Sequence, residues 1–357
     1  MLIVPYYSVI GGWVIKYLVE YFRGNAKLLA EDGYFTDFIS NGVSTELCFV
    51  AFCAFTLIII FAGVQNGIER VSKIMMPILI VLSVIIAVYS VTRPGALEGV
   101  KYFLVPNVKN FSWMTVVAAM GQMFYSLSIA MGILITFGSY MKKDTAIEDS
   151  TRNVEIFDTG IAIMAGLMII PAVFAFSGGD PDTLQAGPSL MFITIPKVFQ
   201  NMGFGTVIGI VFFVLVLFAA VTSSIALTES AVSTFEDELG WGRKKATVLV
   251  GVIMLALGSL SSLGYGPLAG IKIIGMQFLD LFDFLTNSVM MPIAALLTSL
   301  LVSRVVGIDK IEEEIIHGES AFRRKKVFVV MIKYLCPVFA IIILLSSVAN
   351  ALGWIKM

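Results

Sequence analysis

Stretches without a single Asp, Glu, Lys or Arg dominate this chain: residues 47–68, 74–92, 110–141, 159–179, 198–228, 246–271, 284–303 and 334–355. About 20 mostly apolar residues suffice for a helix to cross the hydrocarbon core of a bilayer. Each window therefore predicts one membrane-spanning helix. The segment from Met1 to about Tyr21 predicts a ninth, with Lys16 and Glu20 near its end. In lipid every backbone N–H and C=O must be satisfied within its own segment, so uninterrupted apolar runs of this length become helices. A barrel would show short alternating runs instead. The expected spans are roughly 1–23, 44–64, 72–92, 113–140, 153–178, 204–237, 245–262, 275–303 and 327–350. They form one all-α membrane domain over 1–357, with a loop of short helices over 179–203.

Composition agrees with that pattern. Hydrophobic residues make up 58% and charged residues 14% of the chain, where soluble domains carry about a quarter charged. A net charge of −1 leaves no basic footprint for nucleic acid. The single histidine, His317, lies in a charged loop without a metal-ligand companion, and Cys48, Cys53 and Cys336 have neither disulfide nor zinc spacing. They read as buried small apolar residues. No glycine-rich phosphate loop is present, so ion gradients rather than ATP are the expected energy source.

Nine spans put the termini on opposite sides. With the N-terminus inside, fourteen of the 24 Lys and Arg fall in inside loops and eight in outside segments, which favours N-inside, C-outside. The start, Met1-Leu2-Ile3-Val4-Pro5, enters a span with no leading loop and no basic flank. It lacks the features of a signal peptide and reads as the middle of a longer protein.

Polar groups at membrane depth are costly, so each is a functional candidate. Residues 113–140 would make a straight helix about 42 Å long, against a core of about 30 Å. Its centre, Gly121 to Gly132, holds Ser126 and Ser128. Two readings are open: a tilted helix with hydroxyls bonded to its own carbonyls, or a helix that unwinds near Ser126–Ser128 and frees backbone groups for ions. A second cluster, Ala219-Ala220-Val221-Thr222-Ser223-Ser224, either holds helix to helix or supplies hard oxygen ligands. Asp158 is the strongest single residue. An ionised carboxylate in hydrocarbon needs a cation, donors or a proton. Glu155 reads as solvated, Glu229 as structural or water-facing, Lys333 as snorkelling, and Asp280 and Asp283 as a solvated helix start.

Four motifs then stand in order and at fixed spacing: Tyr6-Tyr7-Ser8-Val9-Ile10-Gly11-Gly12-Trp13, Gly121-Gln122-Met123-Phe124-Tyr125-Ser126-Leu127-Ser128, Thr222-Ser223-Ser224-Ile225-Ala226 and Phe235-Glu236-Asp237-Glu238-Leu239. Together they resemble the bacterial amino-acid-transporting branch of the neurotransmitter:sodium symporter family, over essentially the whole chain. The resemblance implies a leucine-transporter-like inverted-repeat bundle, a fold that general accounts of broken transporter helices use as their own example. It aligns Met1 with the start of the family's third span, so that nine of about eleven spans are present. The first span normally supplies ligands to both sodium sites and the arginine of the outer gate. The resemblance implies that Tyr7 bonds the substrate carboxylate and Tyr125 forms the lid over the substrate. It places Ser126 and Asp158 at the first sodium site, the latter where the family has Asn, and the Ala219 carbonyl, Thr222 and Ser223 at the second. Ile3, Ser128, Met131 and Leu227 take substrate side-chain positions, Met131 replacing a common aromatic. With Gly11 and Gly12 nearby, a roomy pocket for a bulky hydrophobic or aromatic amino acid is expected. Asp283 matches the outer gate, and Tyr140 with Asp237 the inner gate, both without their arginine partners. A carboxylate at 158 supplies the fixed charge that chloride gives in chloride-dependent relatives, so chloride independence is expected, with Gln122 a neighbour of that charge.

The implied activity is not enzymatic: sodium and a neutral amino acid are symported by alternating access across a bacterial cytoplasmic membrane. Sodium ions are transported rather than held. The expected partners are the small substrate and the lipid bilayer, with the first two spans supplied in trans as one arrangement. The competing expectation is a non-transporting remnant or partner-dependent subunit. An in-frame, glycine-rich broken span with Asn and Arg upstream of Met1 separates the two, and little uptake is expected of the chain without it. A channel is a third reading, which no charge ring or repeated filter loop favours.

Overall fold

A computed structural model describes residues 1–180, 184, 187–319, 321–351 and 354. Part of the expected 179–203 loop (181–183 and 185–186) and the last residues, 355–357, thus lie outside the described residues. The helices run α1 (Ile3–Phe22), α2 (Ala26–Leu29), α3 (Tyr34–Ser40), α4 (Gly42–Phe61), α5 (Arg70–Val91), α6 (Ala96–Leu104), α7 (Trp113–Ser126), α8 (Ile133–Ser139), α9 (Ile147–Ser177), α10 (Ile195–Gln200), α11 (Gly205–Leu239), α12 (Arg243–Leu263), α13 (Phe278–Asp283), α14 (Met291–Leu300), α15 (Ile308–Gly318), α16 (Lys325–Val330) and α17 (Cys336–Ala351). Among the described residues there is no β-strand, only one isolated bridge, Ile273 to Met276.

Seven helices are long and apolar enough to cross a membrane: Gly42–Phe61, Val64–Val91, Ile147–Ser177, Gly205–Leu239, Arg243–Leu263, Phe278–Val306 and Lys325–Ala351. Three contain π-helical turns, at Val64–Glu69, at Phe284–Met290 and Leu301–Val306 within one helix, and at Met331–Leu335. A π-turn absorbs an extra residue without ending the helix. The helix expected over 72–92 therefore begins earlier, at Val64, and the one over 275–303 runs to Val306. Two of the nine expected spans depart from that pattern. α1 has the length, 20 residues, but carries Lys16 and Glu20. The stretch 113–140 is divided into α7 and α8.

The helices fall into two compact units. The first holds 1–107 and 160–279, the second 108–159 and 280–357. In the first unit α1 packs against α4, α11 and α12. Gly11 and Gly12 make the closest approach: a Cβ on Gly11 would lie 2.5 Å from the Phe52 ring, and one on Gly12 2.7 Å from the Phe49 nitrogen. An aromatic cluster fills one end. Tyr17 stacks on Phe213 at 5.3 Å, Phe35 stacks on Phe192 at 5.2 Å, and the Tyr17 hydroxyl donates to the Phe192 carbonyl at 2.7 Å. These contacts pin the 190–194 segment between α1, α3 and α11. Outside the spans, Lys197 reaches Asp32 at 2.5 Å and holds that carboxyl below the usual carboxylate range. In the second unit α17 packs on α14 and α7. Two acids also exchange backbone bonds there. Glu319 accepts from the Glu148 and Asp149 amides at the start of α9, and Glu148 accepts from the Arg323 and Arg324 amides.

Candidate functional site

In the second unit the 113–140 stretch unwinds, so the tilted, unbroken helix is not what forms. α7 ends in a Schellman arrangement. The Ile129 amide donates to the Phe124 carbonyl at 2.9 Å, and the Ser128 amide to the Tyr125 carbonyl at 3.1 Å. Such a cap needs a left-handed residue between them, a place glycine usually takes. Here it is Ser128, at φ 54, and Ala130 follows at φ 62. An L-residue in that region costs roughly 1–2 kcal/mol. Gly132, at φ 81, opens α8. Six residues, 127–132, separate the carbonyl end of α7 from the amide end of α8. Those ends carry partial negative and positive charge respectively.

Asp158 lies three turns into α9, and Ser126, the last residue of α7, donates its hydroxyl to Asp158 Oδ1 at 2.5 Å. The two residues expected at the first sodium site are thus joined directly. A carboxylate and a hydroxyl at a helix C-terminus make a hard, negative set of oxygens suited to a small cation. Tyr125, Ser128 and Met131 are half-buried on the same segment, while Gln122 is exposed. A cavity of about 170 Å3 opens beside Gly121, Phe124 and Tyr125, closed by Asn287, Met291 and Ser347. At its side Asp283 accepts from the Asn287 amide at 2.6 Å, a use of this carboxylate that spacing alone did not suggest. Glu155, expected in water, pairs with Arg324 at 2.8 Å.

In the first unit α11 is continuous through its Thr-Ser cluster. The Thr222 hydroxyl turns back to the Phe218 and Ala219 carbonyls at 3.0 and 3.1 Å. Ser223 is exposed, and Tyr7 of α1 lies close to it. Ala219, Thr222 and Ser223 thus share one stretch of α11 beside Tyr7, and Ile3 and Leu227 are buried. Asp237 lies near the end of α11 and Tyr140 just past α8, where its ring meets Phe137 edge-on.

One expectation is corrected. Gly11 and Gly12 do not make room for a substrate, because their open faces are taken up by Phe52 and the backbone at Phe49 of α4. Sequence reasoning also missed two polar pairs. Glu229, fully buried, is held by Arg243 through two bonds of 3.0 and 2.6 Å, while Arg243 Nε donates to the Ile60 carbonyl. Glu46 accepts from Ser259 at 2.5 Å. Both pairs join different helices, and no periodicity within one helix announces them.

Comparison with known proteins shows the family of the chain. The model of the sodium:neurotransmitter symporter family matches residues 19–354. An uncharacterized sodium-dependent transporter of Bacillus subtilis, YhdH, is 34% identical over 97% of this chain and 77% of its own length. An uncharacterized sodium-dependent transporter of Haemophilus influenzae is 31% identical over 97% of this chain and 76% of its own. Among solved structures, the crystal structure of MhsT in complex with L-phenylalanine matches with a TM-score of 0.83 and 34% identity, covering 97% of this chain and 78% of that one.

Proposed function

This chain belongs to the sodium:neurotransmitter symporter family and is a sodium-dependent membrane transporter of a small molecule, and from that premise we propose that it symports a neutral hydrophobic or aromatic amino acid without a requirement for chloride. The observation that carries the proposal is the bond from Ser126 to Asp158 at the break between α7 and α8. Sodium at this point meets a formal negative charge and the carbonyl end of a helix. Two unit charges about 4 Å apart interact by roughly 4 kcal/mol at an effective dielectric of 20. That attraction comes from a charge fixed in the chain rather than from a dissolved anion, which is the reason for proposing chloride independence. Ala219, Thr222 and Ser223 are proposed as the second sodium set. Tyr7, Ile3, Leu227, Tyr125, Ser126, Ser128 and Met131 are proposed as substrate contacts, Asp283, Tyr140 and Asp237 as gate residues, and Gln122 as a neighbour of the charge. The amino-acid class draws support from the phenylalanine-bound neighbour, and the N-inside orientation in a bacterial cytoplasmic membrane from the Lys and Arg bias between loops.

Coupling follows if sodium binds more tightly to the conformation that also holds substrate. The test is uptake of labelled L-phenylalanine and L-leucine into proteoliposomes, using protein expressed from its complete reading frame. The expected result is uptake that needs sodium outside and is unchanged when gluconate replaces chloride. Asp158→Asn should weaken sodium activation tenfold or more, or make uptake depend on chloride. Uptake by the unaltered protein that stops in gluconate would overturn the role given to Asp158.

A further inference from the structure

Arg93 follows α5 and makes no ion pair among the described residues. Its guanidinium lies over the Tyr89 ring at 4.3 Å. Nε donates to the Tyr89 carbonyl at 3.2 Å, and Nη2 is 3.5 Å from the Thr92 hydroxyl. Tyr89 is itself fixed, its hydroxyl donating to the Gly203 carbonyl. The cation is thus held in place while much of its donor fork stays unengaged. It lines a cleft of about 420 Å3 with Pro94, Phe176, Asn201 and Met202. The nearby charges are few. Glu98 on α6 is exposed, and Lys197 is taken up by Asp32.

Depth decides what this cleft can hold. The helix Val64–Val91 crosses the membrane, and Arg93 comes two residues after its end. α9 ends and α11 begins at the same cleft, which Phe176 and the 201–203 turn help to line. Three span ends at one level place the guanidinium at lipid headgroup depth. Along α5 below it, Val81, Ile85 and Val88 form an exposed apolar stripe, and Phe204 beside the cleft is 83% exposed. A planar guanidinium matches phosphate oxygens two at a time, and aromatic and basic anchors are favoured where the bilayer meets water.

We propose that the Arg93 cleft is a binding site for the phosphodiester of an anionic phospholipid, whose acyl chain lies along Val88, Ile85 and Val81. Arg93 and the Tyr89 that orients it form the recognition element. The site is separate from the Ser126–Asp158 pair, and the proposal does not depend on the transported substrate.

The test is native mass spectrometry of the purified full-length protein with phosphatidylglycerol or phosphatidylcholine of identical chains, and with glycerol 1-phosphate as the free ester. The unaltered protein should retain phosphatidylglycerol at least fivefold better than phosphatidylcholine and bind no glycerol 1-phosphate. Arg93→Gln should bring that preference close to one. Arg93→Lys, which keeps the charge without the fork, should fall between. Lys101→Gln on α6 removes an exposed charge outside the cleft and should leave the preference intact. A preference unchanged in Arg93→Gln, lost equally in Lys101→Gln, or matched by the free ester overturns the proposal. Arg93→Gln should melt within a few degrees of the parent. If it does not, Arg93→Lys decides the outcome, because it keeps a cation beside the Tyr89 ring without the fork, and a preference as strong as the parent's overturns the proposal.

Discussion

Removing Arg243 should cost far more than removing its partner. Glu229 is buried completely in α11, and both of its oxygens are bonded by Arg243 at 3.0 and 2.6 Å. Arg243 keeps 22% of its side chain accessible, lies 3.5 Å from Glu236, and donates to the Ile60 carbonyl. Arg243→Gln therefore strands a carboxylate that has no water. Breaking a buried pair in this way costs about 3–5 kcal/mol. Glu229→Gln leaves a neutral amide against a cation that retains other acceptors and solvent, and should cost about 1–3 kcal/mol. The double variant should cost less than the sum, with coupling of about 1 kcal/mol or more. Melting temperatures in detergent would show the order. At roughly 2–4 °C per kcal/mol, Arg243→Gln should lower the midpoint by roughly 6–20 °C and Glu229→Gln by roughly 2–12 °C, the smaller loss of the two. Equal losses, or a larger loss for Glu229→Gln, would refute the reasoning, since it rests entirely on which partner is cut off from water.

Three further outcomes follow from particular contacts. Gly12→Ala should lower the melting temperature more than Gly121→Ala, because its Cβ would lie 2.7 Å from backbone at Phe49 whereas Gly121 faces open space; overpacking of this kind costs about 1–3 kcal/mol. Gly132→Ala should destabilise by roughly 1–2 kcal/mol, the cost of a left-handed L-residue, measured by thermal unfolding with and without sodium. Lys197→Met should leave the melting temperature within about a degree, since its partner Asp32 is exposed and surface pairs contribute little; the carboxyl of Asp32, released from its cation, should then titrate at higher pH.

Much of this arrangement was legible because lipid imposes a simple rule. Seven of the eight uncharged windows overlap a long apolar helix, although several of those helices extend well into charged sequence, and the over-long window containing Ser126 and Ser128 left a tilted helix and a broken one both open. Asp158 was conspicuous because it is the last charge before the uncharged run 159–179. The remainder depends on which helices become neighbours. The Glu229–Arg243 pair is separated by the end of one helix and the start of the next, and Glu46 meets Ser259 across 213 positions. The π-turns leave no compositional trace, because they change only the register of the carbonyls. Gly11 and Gly12 show the limit most plainly. Small residues signal close approach, but not whether the visitor is a substrate or the neighbouring α4.

The break between α7 and α8 also bears on how the chain enters a membrane. At 14 and seven residues, the half-helices measure about 21 and 10 Å, and neither alone reaches across about 30 Å of hydrocarbon. Membrane insertion must therefore read them as one segment, which the charge-free run over 110–141 permits. Hydroxyls, rather than carboxylates, occupy the point of rupture, so the segment partitions as an ordinary apolar stretch. The formal charge arrives on a separate helix, with Asp158. With Asp158 in the proposed sodium site, translocation and ion binding place opposite demands on the same depth of membrane, and dividing them between two spans lets each be met in turn.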